Sequence, residues 1–341
     1  MKDFGKRIVR LLRYLNRVPK IVWGTLALFF FVLTLIGFEF QNIENIHIGA
    51  FGDLYETVIG FWPNATKVLP NFKFACIGAT AIFLVLFLYR RRYYLISLRS
   101  FSHDLGEVEI GDHKKGCMIL DRKIDVTKEF SQNKIKNAVK IMDHEIESFN
   151  RIRGDSLVGF YGIAHTPLLF RAGYLIGDQS NVFLFHKGRA NDSKFTEWSN
   201  DAGGFRINNP KELNDNIHSD ELIVSISTTF EIKYEEMMDL HPQDKHIIMF
   251  TANNLGFDVI RNNVDADAAK RIIYTTTRDI VKRYGIQKIH LIIASSAAFT
   301  FLLGMGYSKQ HDPACIVYHY QQSHYPWGIS VKTGHVVRTT N

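Results

Sequence analysis

The second part of the sequence repeats itself, and this repetition constrains the fold more than any other feature. The segment His165–Gly173 aligns with Ser296–Gly304 at an offset of 131 residues. The run that ends in Phe185-His186 aligns with the run that ends in Tyr318-His319, and a tryptophan follows each run. Two copies of one unit explain these matches, and the alternative is coincidence between two ordinary α/β segments.

Each copy alternates short apolar runs with amphipathic segments, which predicts strands and helices in turn. In the first copy we expect strands at 117–120, 157–164 and 182–186 and helices at 133–149 and 166–176. In the second copy we expect strands at 222–227, 289–294 and 315–319 and helices at 266–284 and 296–306. This order predicts an α/β fold of two fused Rossmann-like units with mainly parallel sheets.

Two uncharged runs precede the repeat. Ile21–Phe38 would extend roughly 27 Å as a helix, which is close to the thickness of the hydrocarbon layer of a bilayer. Phe74–Tyr89 is slightly shorter, and basic residues flank both runs. These features favour an α-helical transmembrane hairpin over the alternative of two buried core helices. The first run ends without a small-x-small cleavage signal, so we expect an anchor that is not removed.

The charges around these runs predict their orientation. Residues 1–20 carry a net charge of +6, residues 39–73 carry −2 and residues 90–99 carry +4. The positive-inside rule then places both termini in the cytoplasm and the intervening loop outside. The protein is therefore predicted to be a multi-pass membrane protein.

Three regions follow from this reading of the chain. We expect a basic interfacial segment at 1–20, for which the alternative is a cytoplasmic continuation of the first span. A two-span transmembrane hairpin is expected at 21–92, with an extracytoplasmic loop at about 39–73. A cytoplasmic domain is expected at 93–341, with halves at about 100–205 and 206–341.

The whole chain has a formal net charge of +7, but the segments before residue 100 account for all of it. Residues 100–341 sum to about −1, which argues against direct binding of long DNA or RNA. A small anionic ligand is compatible with this balance. The three cysteines are far apart, which excludes a disulfide scaffold.

Ligands of open parallel sheets bind beyond the carboxyl ends of the strands. Hydroxyl, basic and aromatic side chains follow the predicted strands there, and these groups suit phosphate oxygens and nucleotide bases. The alternative for Thr166, Ser295 and Ser296 is helix capping, and for the aromatic residues it is burial in the core. The candidate ligand-binding residues are Arg122, Lys123, His165, Thr166, Lys187, Trp198, Ser225, Ser227, Thr228, Ser295, Ser296, Tyr320 and Trp327.

Catalytic motifs are missing from the sequence: GxGxxG, GxxxxGK[ST], HExxH and GxSxG do not occur. His113 and Cys117 lack a second pair of zinc ligands. Ser295 or Ser296 with His319 could form a nucleophile and base, but no sequence feature orients them. We expect no enzymatic activity, no metal and no cofactor. His246 is expected in a surface loop.

Two stretches resemble a known family. The run QKIHLIIASSAAFTFLLGMGY, followed by ACIVYHYQQSHYPWGISV, resembles the C-terminal half of a SAVED domain. The run VGFYGIAHTPLLFRAGYLIGDQSNVFLFHKGR is similar to its N-terminal half, and the resemblance covers roughly residues 100–341. It implies two fused CARF-like Rossmann units that bind a cyclic tri- or tetranucleotide in bacterial CBASS anti-phage defence. His165 departs from the smaller residue that some relatives carry at that point.

The resemblance, together with the two apolar runs, implies a transmembrane SAVED effector. The expected partners are a cyclic oligonucleotide second messenger, the lipid of the inner membrane and further copies of the chain. Ligand binding would drive head-to-tail oligomerisation, disruption of the membrane and abortive infection. The alternatives are a membrane-anchored enzyme, such as a hydrolase or ring nuclease, and a non-catalytic membrane adaptor.

Overall fold

The computed structural model describes residues 92–101, 105, 107–109, 118–127, 134–153, 156–178, 182–187 and 194–339. The chain divides into two compact units, and the unit formed by residues 93–110 and 119–341 holds both copies of the repeat. The predicted interfacial segment, the two predicted spans and the loop between them lie outside the described residues.

The first half of this unit is built on six strands. The strands are β1 Arg92–Arg99, β2 Glu107–Glu109, β3 Met118–Asp125, β4 Leu157–Ile163, β5 Val182–Lys187 and β6 Lys194–Glu197. They form one sheet in the order β2-β6-β5-β4-β1-β3, in which β1, β4 and β5 run parallel. The helices are α1 Ile135–Arg153, which precedes β4, and α2 Thr166–Ile176, which links β4 to β5.

The second half has seven strands. They are β7 Lys211–Leu213, β8 Glu221–Ser227, β9 His246–Thr251, β10 Lys288–Ala294, β11 Ala314–Gln321, β12 His324–Ser330 and β13 Val336–Arg338. Their order in the sheet is β13-β12-β11-β10-β8-β9-β7, and the four central strands β11, β10, β8 and β9 are parallel. The helices are α3 Asn263–Tyr284 and α4 Ala297–Gly306.

Both sheets share one strand order. The sequence β3-β1-β4-β5-β6 across the first sheet corresponds to β9-β8-β10-β11-β12 across the second. The registers agree as well: Ser97 of β1 lies beside Tyr161, and Ser225 of β8 lies beside Ile292, 131 residues after Tyr161. The predicted α/β fold of two Rossmann-like units is confirmed.

The two halves pack together through α2 and α4. A Cβ atom on Gly173 would overlap the carbonyl oxygen of Phe301, and a Cβ atom on Gly304 would overlap the carbonyl oxygen of Phe170. These contacts are reciprocal because the two glycines occupy equivalent positions in the two halves. The rings of Phe160 and Phe301 stack beside this crossing with centroids 3.6 Å apart. The halves therefore meet backbone to backbone in a continuous apolar core.

A buried arginine also ties the two halves. The Arg171 guanidinium, on α2, donates to both carboxylate oxygens of Asp143 at 2.8 and 2.6 Å. A third donor of the same group reaches the carbonyl oxygen of Val331, in the second half, at 2.5 Å. Arg171 is buried, and its charge is compensated by a bidentate partner, which is the favourable geometry for such a pair.

The start of the first sheet differs from the sequence-based prediction. The first strand was expected at 117–120, and residues 90–99 were read as a basic flank of a membrane span. In the structure Arg92–Arg99 is β1, which pairs with β4 in the middle of the sheet, and the 117–120 segment contributes to the edge strand β3. The arginines at both ends of β1 obscured the alternation of core residues Tyr94, Ile96 and Leu98.

The predicted location of the protein needs correction. Among the described residues, no helix has both the length and the apolar character needed to cross a membrane. This finding overturns the prediction of a multi-pass inner-membrane protein with both termini in the cytoplasm. The predicted lipid partner and membrane disruption depended on that location and are not carried forward. The apolar runs at 21–38 and 74–89 themselves lie outside the described residues.

Candidate functional site

Four hydroxyl side chains gather where β8 and β10 end, and we call them the hydroxyl cluster: Thr228, Thr229, Ser295 and Ser296. The backbone N–H groups of Thr228 and Thr229 both donate to the carbonyl oxygen of Ala294, at 2.9 and 3.0 Å. The Thr228 hydroxyl donates to the Ser295 hydroxyl at 2.7 Å. These bonds fix the loop after β8 against the end of β10.

Ser296 is the N-cap of α4, as the capping interpretation anticipated. Its hydroxyl accepts a hydrogen bond from the backbone N–H of Phe299 at 3.3 Å. Thr228 is buried, whereas Ser295 and Ser296 are partly exposed. The two serines therefore present hydroxyl oxygens to solvent at the start of a helix.

Four rings form a second group, which we call the ring cluster: Phe101, His165, His319 and Trp327. Phe101 stacks on His165 with centroids 4.1 Å apart and an interplanar angle of 25°. His319 meets the edge of His165 at 4.7 Å, and Trp327 lies 6.0 Å from His165 and 4.9 Å from His319. Phe101 and His165 belong to the first half and the other two rings to the second, so the cluster bridges both halves.

His165 is held in its neutral form. The Ser100 hydroxyl accepts a hydrogen bond from the backbone N–H of His165 at 2.9 Å and lies 2.6 Å from its Nδ1. This hydroxyl can donate to Nδ1, which leaves the ring proton on Nε2. Burial lowers the pKa of His165 to about 3, with a smaller contribution from His319. Burial also lowers the pKa of His319 to about 4.

The two clusters share one edge of the second sheet. β10 and β11 are parallel, with Leu291 beside Val317. Continuing this register places His319 beside the end of β10, from which Ser295 and Ser296 follow. The hydroxyl cluster and the rings of His319 and Trp327 form the candidate site, which offers hydroxyl groups for phosphate or sugar oxygens and ring faces for bases. His165 packs against both of these rings, and Phe101 stacks on His165.

Tyr320 follows His319 at the end of β11 but packs against the second core cluster. Its hydroxyl donates to a carboxylate oxygen of Glu236 at 2.8 Å, and its ring lies 5.6 Å from that of Phe230. Phe230 is 39% exposed. Thr166 lies next to the ring cluster as the first residue of α2. Of the sequence-predicted residues, the two clusters contain His165, Thr228, Ser295, Ser296 and Trp327, and Thr166 adjoins His165.

Other predicted residues lie elsewhere. Arg122 and Lys123 sit within β3, which corrects their expected position after the first strand of the half. Arg122 forms an ion pair with Glu145 of α1, and Lys123 lies 3.8 Å from Asp121. Lys123 also borders a separate cavity of about 190 Å³, whose other lining residues are Ser97, Arg99, Leu105, Ile124, Asp125 and Tyr161.

The remaining predicted residues belong to neither cluster. The Lys187 ammonium donates to the carbonyl oxygen of Leu105 at 3.1 Å. Trp198 and Ser225 are buried in the interior. The Ser227 hydroxyl is buried and accepts a hydrogen bond from the backbone N–H of Ile232 at 3.0 Å.

Ser100 and Phe101 were missed by sequence reasoning, although a signal for them exists. Ser97-Leu98-Arg99-Ser100 matches Ser225-Ile226-Ser227-Thr228, and each stretch leads out of equivalent strands β1 and β8. The match becomes visible only when β1 is recognised as a strand. In the ranges that the structure covers, no group of three or more His, Cys, Asp or Glu side chains is placed to hold a metal ion.

The fold defines a class: a double Rossmann-like domain of two fused halves. The family model described as "SMODS-associated and fused to various effectors sensor domain", SAVED, matches residues 142–331. This match covers more than half of the chain. The protein therefore belongs to the SAVED family of sensor domains.

Solved structures with a similar fold include SAVED/CARF-domain containing receptors called Cap4. The Acinetobacter baumannii receptor with the cyclic trinucleotide 2'3'3'-cAAA is 11% identical, with a TM-score of 0.48 over 77% of this chain and 60% of that one. The Moraxella osloensis receptor is 13% identical, with a TM-score of 0.43 over 81% of this chain and 59% of that one. This chain thus spans about 60% of the length of these receptors. No curated protein matches the sequence.

Proposed function

We propose that this protein is a sensor that binds a cyclic oligonucleotide, of three or four nucleotides, at the candidate site. The observation that carries the proposal is that the His319 ring lies on β11, the parallel neighbour of β10, while the partly exposed Ser295 and Ser296 follow the end of β10. A cyclic oligonucleotide needs both kinds of group, because its phosphates and riboses accept and donate hydrogen bonds while its bases stack. Membership of a sensor family supports the same conclusion.

A sequence feature supports a small ligand over a long nucleic acid. Residues 100–341 are close to electrically neutral, whereas long DNA or RNA is held largely by many Lys and Arg contacts to phosphates. A compact ring with a few phosphates can be bound by hydroxyls and backbone N–H groups instead. The role of antiviral sensing in a bacterial CBASS system follows from this ligand class and is part of the proposal.

The proposal assigns binding and no catalysis to the site. Burial lowers the pKa of His165 to about 3 and that of His319 to about 4, which makes both imidazoles weak bases. An efficient general base has a pKa near the operating pH. The expected outcome is that the ligand is recovered intact after incubation with the protein, as mass spectrometry of the mixture would show.

Calorimetric titration of the full chain with a panel of cyclic di-, tri- and tetranucleotides tests the proposal. We expect one ring to bind per chain and Ser295→Tyr to weaken binding at least tenfold, because the added ring fills the space in front of the hydroxyl cluster. Thr275→Tyr is the matched control, since it adds the same side chain at an exposed position of α3. The absence of binding with every ring, or equal affinities for the two variants, would refute the proposal.

The proposed output of sensing is self-association. A ligand that completes a contact between different faces of two copies produces an open, head-to-tail assembly. To raise the assembled fraction from about 1% to about 99%, the ligand must favour the assembled state by about 5.5 kcal/mol. Light scattering of the full chain should show a ligand-dependent rise in mass, and an unchanged mass at saturating ligand would contradict this output.

A further inference from the structure

The two halves present equivalent loops at the candidate site. After β1, the backbone N–H of Ser100 donates to the carbonyl oxygen of Ile163, the last residue of β4, at 3.2 Å. After β8, the backbone N–H of Thr228 donates to the carbonyl oxygen of Ala294, the last residue of β10, at 2.9 Å. Because the strand registers also agree, Ser100 corresponds to Thr228.

The equivalent pairs Ser100–Thr228 and Ile163–Ala294 also fix which of the following residues correspond to each other. Phe101 corresponds to Thr229, and His165 corresponds to Ser296. The backbone of the site is therefore built twice, while the side chains at the two places differ in both size and chemistry.

In the first half the place is filled. The ring of Phe101 stacks on that of His165, with centroids 4.1 Å apart and an interplanar angle of 25°. His165 is only 7% exposed, and His319 and Trp327 contact its other sides. The Nδ1 atom of His165 is engaged by Ser100. A nucleotide base would have to occupy the volume that these two rings already hold.

In the second half the same place is polar. Thr229 and Ser296 carry hydroxyls where the first half carries rings; Thr229 is buried and Ser296 is partly exposed. The backbone differs as well: Pro167, in the first turn of α2, has no N–H, whereas its counterpart Ala298 in α4 has one. The second half thus offers donors that the first half lacks.

We infer that Phe101 and His165 close the subsite of the first half, so that the domain reads a cyclic oligonucleotide through the subsite of the second half alone. This inference rests on the proposed function and names the specificity-determining residues of the same site. One phosphate or ribose of the ring lies on the hydroxyl cluster. The nucleotide on the opposite side of the cyclic ligand contacts the ring cluster. This cluster bounds the site and does not form a second copy of the subsite.

Reciprocal substitutions test the inference. The double variant Thr229→Phe/Ser296→His transfers the stacked pair to the second half and should weaken binding at least 50-fold. Ser296→Ala is its matched control, because it removes the same helix cap without adding a ring, and it should weaken binding less than tenfold. Phe101→Thr removes the exposed ring of the pair, and its affinity should stay within threefold of the wild type.

The measurement is calorimetric titration of each full-length variant with 3'3'3'-cAAA and with a cyclic tetraadenylate. Circular dichroism checks that each variant is folded, and Ser296→His alone, at a partly exposed position, replaces the double variant if the latter unfolds. We expect Thr229→Phe/Ser296→His to lose affinity for the ligand and Phe101→Thr to retain it.

The opposite pattern overturns the inference. If Phe101→Thr loses as much affinity as the double variant, the Phe101 ring holds the ligand and does not close a subsite. If the double variant and Ser296→His both bind like Ser296→Ala, the second half does not carry the ligand. A wild-type chain that binds no cyclic oligonucleotide refutes the proposed function itself, and this inference falls with it.

Discussion

Replacing Gly304 with alanine tests how the two halves join. The new Cβ would lie 2.8 Å from the carbonyl carbon of Phe170 and 3.1 Å from its Cα, and it would overlap the carbonyl oxygen. All three are backbone atoms, so no side chain can rotate away to make room. The crossing helices α2 and α4 must separate, which loosens the packing of Phe160 on Phe301.

The size of the effect follows from two opposing contributions. Overpacking a core by one methyl group costs about 1–3 kcal/mol, and contact with backbone places this position at the upper end. Alanine in place of glycine inside a helix raises the free energy of unfolding by about 1 kcal/mol through its higher helix propensity. The free energy of unfolding should therefore fall by about 2 kcal/mol, which lowers the melting temperature of a domain of this size by roughly 4–8 °C.

Thermal unfolding followed by circular dichroism measures this change. Gly173→Ala should have a similar effect, because its Cβ meets the backbone of Phe301 in the reciprocal way. Gly256→Ala is the control, since its Cβ meets only a side-chain methyl of Val259, at 3.2 Å. A melting temperature that is unchanged or raised in both helix variants would refute the crossing of α2 and α4 at their glycines.

Three further predictions concern stability. Arg171→Met should lower the free energy of unfolding by about 3 kcal/mol, because it leaves the Asp143 carboxylate without its bidentate partner. Burial lowers the pKa of His165 to about 3, so the unfolded chain, with a pKa near 6.5, takes up the proton first as the pH falls. His165 should therefore lower the free energy of unfolding by about 2 kcal/mol at pH 5 relative to pH 7, and His165→Gln should remove this contribution. Gln322 and Ser323 form the turn between the antiparallel strands β11 and β12, and both have positive φ, 51° and 64°. The double variant Gln322→Asn/Ser323→Gly should therefore stabilise this hairpin by about 1 kcal/mol.

Urea denaturation of the full chain measures all three effects. Arg171→Met at wild-type stability would show that Arg171 does not hold the two halves together. An unchanged pH dependence in His165→Gln would contradict the neutral, buried state of that ring. A hairpin variant that is less stable than the wild type would contradict the left-handed conformation of its two turn residues.

Sequence patterns predicted the central elements of each half because these elements are buried on both faces. The strands β4 and β10 and the helices α2 and α4 consist of nearly continuous apolar residues, and their limits agree with the prediction to within one residue. The hydroxyl cluster was found for a related reason, since it follows directly from the ends of strands in an α/β repeat.

The missed elements carried misleading local signals. Arginines stand at both ends of β1 and hid its strand pattern. The strand β9 begins at His246, which the sequence analysis placed in a surface loop. His246 is in fact buried and stacks on the ring of Tyr284 with centroids 4.1 Å apart. The ring cluster could not be predicted because His165 and His319 meet only when the two halves pack together, and no local pattern encodes that contact.

A crystal structure of the full chain with 3'3'3'-cAAA tests the central claim most directly, because it locates the ligand. We expect phosphate or ribose oxygens within hydrogen-bonding distance of Ser295 and Ser296, and a base against the ring of His319 or Trp327. Ligand bound instead in the separate cavity beside Arg99 and Lys123, with the hydroxyl cluster empty, would contradict the account.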